Sequence, residues 1–250
     1  MAVSAPGGAV REGLMRIPEH VLRAFQLDGE VGEATSEVWD GGVRFGRVVV
    51  APAQDAAVWS AKLRERAESS LGVRFSRSVR ATDGRFVVGG FVASEFVEGQ
   101  PAARVDEVVG ASLLIDAALS TTPAPTAEPV EGSWREIDRA VWAGDEQDYG
   151  GEYVVADLDL LRRCLFDGYA PPAVAALTPS AELRPRGYTA AIVMVDGLIA
   201  NAVDARVIDR WAHIPNLRQL LAKAWEFRKL TTPLSNIGPD FRRVGQIVCP

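Results

Sequence analysis

The chain predicts a two-lobed α+β protein: a small antiparallel sheet carrying one helix, then a mainly helical half. Between residues 33 and 97, short runs rich in Val, Phe and Trp are separated by Gly-containing turn signals, the mark of antiparallel strands. Residues 55–69 interrupt them with a helical stretch, and beyond residue 105 apolar residues recur at three- and four-residue spacing. With 250 residues, 48% of them hydrophobic and 24% charged, the chain can bury a large core and is not globally disordered.

Residues 1–16 are small and irregular and read as a flexible lead. Residues 18–25 form a short helix, opened by Pro18, with Val21, Leu22 and Phe25 as its apolar stripe. Val38-Trp39 and residues 43–50 then read as a hairpin turning at Asp40-Gly41-Gly42, with Pro52 ending its second strand. Residues 55–69 place Val58, Trp59 and Leu63 on one side of a helix. A second hairpin turns at Thr82-Asp83-Gly84, and a strand over 90–97 completes a five-stranded lobe spanning residues 17–99.

The second lobe, residues 100–250, opens with a helix over 105–119. A Pro-rich polar linker at 121–133 then crosses the surface. Helices follow over 134–142, 152–166, 187–210 with one interruption, and 217–230.

Composition also excludes functions. A net charge of −6 gives no general attraction to nucleic acid or anionic lipid. Cys164 and Cys249 make no metal-ligand or redox pair, and His20 and His213 are too few for a His-based metal site. The first 20 residues hold no continuous apolar run, and the most apolar stretch, 189–203, is too short to span a bilayer, so the cytoplasm is the expected compartment. No GxSxG, GxGxxG or GxxxxGK[ST] segment occurs. The acids Glu95, Glu98 and Asp106 could meet a cationic ligand or simply be solvated. Only Lys62, Lys223 and Lys229 are available to any mechanism that needs a lysine.

Four segments of the first half, PEHVLRAF at residue 18, WDGGVRFGRVVVAP at 39, WSAKLRER at 59 and VRATDGRFVVGGFVASEFVEGQP at 79, carry a resemblance. In the second half LFDGYAPPAVAALTPSAELRPRGYTAAIVMVDGL, at 165, adds to it. Together they resemble an actinobacterial branch of proteins related to the aminoglycoside phosphotransferases, within the protein-kinase-like fold. The resemblance implies that FVEG is the exit from a lobe-connecting strand, and that residues 165–198 run strand, turn, strand and apolar helix.

Phosphotransfer in that fold needs a strand Lys paired with a helix Glu, a loop Asp that accepts the substrate proton, and an Asn and a second Asp that hold metal ions. The strand here reads RVVVAP and has no Lys; Lys62 and Glu65 on the following helix are the nearest substitutes, and Glu95 the nearest hinge acid. The resemblance puts the loop Asp at Asp159, with Asp157 where the family has His, Arg163 at the Asn and Ala176 at the second Asp. Asp167 comes too early to replace it. Val154, Leu158, Leu161 and Leu165 also fit a plain helix face, on which Asp157 and Asp159 would be surface acids. The expected function is therefore a non-catalytic module that binds a protein partner or small ligand, with no cofactor. The alternative is a divergent phosphotransferase using ATP and Mg²⁺ with Asp159 or Asp157 as base.

Overall fold

The computed structural model describes residues 15–66, 72–233 and 239–249, so most of the expected flexible lead lies outside it. Helix α1 (Glu19–Ala24) follows Pro18. Strand β1 (Gly32–Ala34), a single 3-10 turn (Glu37–Trp39), β2 (Val43–Phe45) and β3 (Val48–Pro52) come next. Helix α2 (Ala57–Arg66) leads to β4 (Arg74–Phe75), β5 (Ser78–Val79), β6 (Val87–Val88) and β7 (Phe91–Glu95). The antiparallel sheet has six strands, ordered β1-β2-β3-β7-β5 with β6 also pairing β7.

The first hairpin turns later than the Gly pair predicts. Phe45 pairs with Val48, so Gly46-Arg47 is the two-residue turn, and Gly46 supplies its positive φ of 54°. Val38-Trp39 is not a strand but the 3-10 turn, which Asp40 ends at φ 56°. Alternation along the strands then assigns two faces. Val43, Phe45 and Val50 pack with Val21 and Phe25 under α1, whereas Val49 points the other way, into a buried cluster with Val38 and Trp39. That second cluster is completed by Leu165, Ala173 and Ala175 from the other lobe.

The second lobe comprises β8 (Gln100–Pro101), α3 (Val105–Ala118), α4 (Trp134–Trp142), β9 (Tyr153–Asp157), α5 (Leu160–Arg163) and β10 (Cys164–Phe166). It continues with β11 (Ala173–Val174), β12 (Pro179–Pro185), α6 (Tyr188–Ile199), α7 (Arg206–Arg210), α8 (Leu217–Thr231) and α9 (Pro239–Val248). The apolar stretch that is too short for a bilayer is α6, buried between α3 and α8. Gly187 at its start has no side chain to cap it. The buried Asp116 of α3 does so instead, accepting the Gly187 N–H at 2.9 Å.

The helix predicted over residues 152–166 is a strand, one helical turn and a second strand. β9 pairs with β12, and β10 lies between β8 and β11 in a sheet that also takes β4 from the first lobe. Val154 to Asp157 are buried on both faces of β9, which erases the period-2 signature and leaves a chance helical spacing. Over residues 165–198 the strand, turn, strand and apolar helix implied by the resemblance are present as β10, β11 and α6, with the additional strand β12 before the helix.

The linker 121–133 is strapped onto the first lobe. Trp59 Nε1 donates to the Pro123 carbonyl at 3.0 Å, and Asp55 Oδ2 accepts the Val130 N–H at 3.2 Å. Ser133 then caps α4, accepting the Glu136 N–H, while Glu136 returns a bond from the Gly132 N–H. From α4, Arg135 reaches Asp55 at 2.8 Å, and Asp138 pairs with Arg184 of β12 at 2.8 Å. Asp138→Ala should lower the unfolding free energy by about 3 kcal/mol, because the buried Arg184 keeps only the exposed Glu182, at 3.4 Å, as a countercharge. Urea unfolding measures the loss; a change below about 1 kcal/mol would show the pair to be dispensable.

Candidate functional site at the lobe junction

The residues that the sequence singles out on α5 meet the first lobe here. Asp159 precedes α5 and is not a surface acid: it is 2% exposed. Its Oδ2 accepts Arg162 Nη2 at 2.6 Å and Arg163 Nε at 3.0 Å, and Arg162 Nε reaches both oxygens. Arg163, 3% exposed, spans the junction. Its Nη2 donates to Asp40 Oδ1 at 2.6 Å and its Nη1 to the Val38 carbonyl at 3.1 Å. One guanidinium thus holds the 3-10 turn of the first lobe onto the α5 loop of the second.

Behind this latch the junction is filled with side chains. Trp39 is 6% exposed and stacks on Phe96 with ring centroids 5.6 Å apart; Arg44 covers the same Phe96 ring at 3.8 Å. Arg64 of α2 also turns inward, where its Nη1 donates to the carbonyls of Ser76 and Ala175 and to Ser94 Oγ. Burial, aided by the nearby Arg163, pushes its pKa down to about 10. On α2, Trp59 and Leu63 pack against the core as expected, but its most buried stripe is Ser60, Ala61 and Arg64, and Val58 is 46% exposed.

Asp157 ends β9 and is fully enclosed. Its oxygens accept the N–H groups of Asp159 at 2.8 Å and Thr178 at 2.9 Å. Burial raises its pKa to about 7 against the opposing effect of those two donors, and the Asp159 charge raises it further. The other candidates lie elsewhere. Lys62 is exposed on α2, and Glu65 pairs with Arg80 at 2.6 Å on the outside of the lobe. Glu95 and Asp167 are exposed, and none of these four lines the cavities beside the latch. Ala176 offers no carboxylate, and among the described residues no group of three or more His, Cys, Asp or Glu is gathered to hold a metal ion.

Sequence reasoning missed Asp40, Arg64 and the role of Trp39. Asp40 looked like turn chemistry, although its αL conformation also ends a turn that must dock. Arg64 stands at the i+4 position from Ser60 on a stripe of small residues, the one available signal that a long side chain is buried there.

Two cavities flank the latch, both lined by Asp159 and Arg162. One, of about 860 Å³, opens toward α6 and α8; the other, of about 560 Å³, opens toward Asp55 and Arg135.

No family model matches the chain, and no curated protein matches it either. Solved structures do. A thermostable mutant of aminoglycoside phosphotransferase APH(4)-Ia in its apo form superposes with a TM-score of 0.52 at 12% identity, covering 93% of this chain and 98% of that one. A variant of the same protein in a ternary complex with AMP-PNP and hygromycin B gives 0.52 and 12% over 92% and 95%. The chain therefore has the two-lobed, kinase-like fold of those structures. Among the described residues no helix is long and apolar enough to cross a membrane.

The raised pKa of Asp157 fixes the sign of a pH effect. Between about pH 4 and 7 the native state holds a proton that the unfolded chain releases, so this group's contribution to stability falls as pH rises. Asp157→Asn should remove that slope: relative to the parent, the variant should gain stability from pH 5 to about pH 7 and level off above it, on top of a constant loss from one mismatched N–H. Urea unfolding across that range checks it, and a parent–variant difference that does not change with pH would refute it.

Proposed function

We propose that the chain is a non-catalytic, kinase-like binding module that takes a small ligand or a protein partner at the lobe junction. The observation that supports this best is the latch: Arg163 occupies both the loop carboxylate and Asp40, and Val38 and Trp39 fill the space behind it. In phosphotransferases of this fold, the glycine-rich loop covers nucleotide phosphates, a strand Lys and helix Glu support them, and carboxylates hold the metal. Here β3 offers Val49 and Val50, α2 offers Arg64, and Asp159 already meets two guanidinium groups. A guanidinium has no acceptor atom with which to hold a cation. The residues present do not fit Mg²⁺ and a nucleotide triphosphate. Two free thiols, Cys164 and Cys249, accord with a cytoplasmic setting.

Isothermal calorimetry with ATP and Mg²⁺, alongside a phosphate-release assay, tests the reading. The expected result is no binding in the micromolar range and no turnover above background. Micromolar, metal-dependent affinity with turnover lost in Asp159→Ala would instead establish the divergent phosphotransferase.

A further inference from the structure

The geometry points to the ligand class of the larger junction cavity: a molecule with an apolar body and a single anionic head. This rests on the non-catalytic reading and deepens it. The cavity, about 860 Å³, is of the size that encloses a small organic molecule. Its lining is mainly apolar, with Val38, Pro101, Leu161, Ile199 and Trp134, and its hydroxyls are confined to Ser36, Thr231 and Thr232.

The floor decides the head group. Asp159 and Asp196 line it, but neither is available to a cation. Asp159 is bonded by Arg162 and Arg163, and both oxygens of Asp196 accept from Arg228, at 2.5 and 2.6 Å. Glu37 also lines the cavity but is exposed to solvent, where its charge is screened. What the floor has to spare is donors. Arg162 and Arg228 flank Trp134, with guanidinium carbons 5.7 and 5.0 Å from its ring, and both line the cavity. Among the described residues the Nη1 of each has no partner. Arg228 is 5% exposed, so its charge is desolvated and its orientation is fixed by Asp196 and the Leu158 carbonyl. A carboxylate or sulfonate beside Trp134 would receive charge-assisted bonds from both arginines while its apolar body covers Leu161 and Ile199.

The probe is 1-anilinonaphthalene-8-sulfonate, followed by fluorescence titration, with decanoate and decyltrimethylammonium as competitors sharing one chain length. The expected result is saturable one-to-one binding of the dye, displaced by decanoate at roughly 10-fold lower concentration than by the ammonium compound. Ile199→Trp, which adds bulk to the cavity wall, should weaken dye binding, and Arg162→Gln should reduce the preference for decanoate while the dye still binds. Equal or better displacement by decyltrimethylammonium, or unchanged dye binding in Ile199→Trp, would overturn the inference. Calorimetry with ATP and Mg²⁺ reports separately on the non-catalytic reading, so each can fail without the other.

Discussion

Arg163 is the residue on which the arrangement of the two lobes depends. It is nearly inaccessible to water, and its three nitrogens are divided among a carboxylate and a carbonyl of the first lobe and a carboxylate of the second. Desolvating a guanidinium is expensive, and a single exposed partner would not offset it. Two acid partners and a carbonyl can. Because Asp40 and Val38 belong to one 3-10 turn, fixing them also fixes Trp39, and Trp39 seals the cluster that joins Val49 to Leu165, Ala173 and Ala175. Polar latch and apolar seal are consequences of one docking event.

The same device recurs through the interior. Arg64, Arg135, Arg184 and Arg228 are each 5% exposed or less, and each joins elements distant in sequence. Arg135 ties α4 to the start of α2 and to the linker, Arg184 ties β12 to α4, and Arg228 ties α8 to α6 and the Leu158 carbonyl. A planar guanidinium with five donors suits such cross-bracing, whereas a lysine would present one flexible point charge. With three lysines among 27 basic residues, the composition already favours this solution. Arg64 is the exception, with carbonyls and a hydroxyl but no carboxylate as partners.

The helices with one-sided burial, and the continuous apolar run that forms the largely buried α6, were legible in the sequence. α3, α4, α6 and α8 carry clear apolar stripes or runs, and each lies within a residue or two of where periodicity puts it. Periodicity failed where burial has two sides or none of the usual residue types. β9 is covered on both faces and mimicked a helix, while α2 buries Ser, Ala and Arg and exposes Val58. Gly41-Gly42 was a plausible turn, but the strand register passed it to Gly46. Of the site, Asp159 was visible as a match to the family pattern and Arg163 as a departure from it. The pairing of Arg163 with Asp40, over more than a hundred residues, is a tertiary fact that no local spacing encodes.

The latch itself is open to direct measurement by a double-mutant cycle on unfolding free energy, using Asp40→Asn, Arg163→Gln and the pair. A coupling of about 1.5 kcal/mol or more is the predicted result, since each single change strands a desolvated partner that the double change does not. A coupling below about 0.3 kcal/mol would mean that the two residues do not hold the lobes together, and would contradict the closed junction on which the account rests.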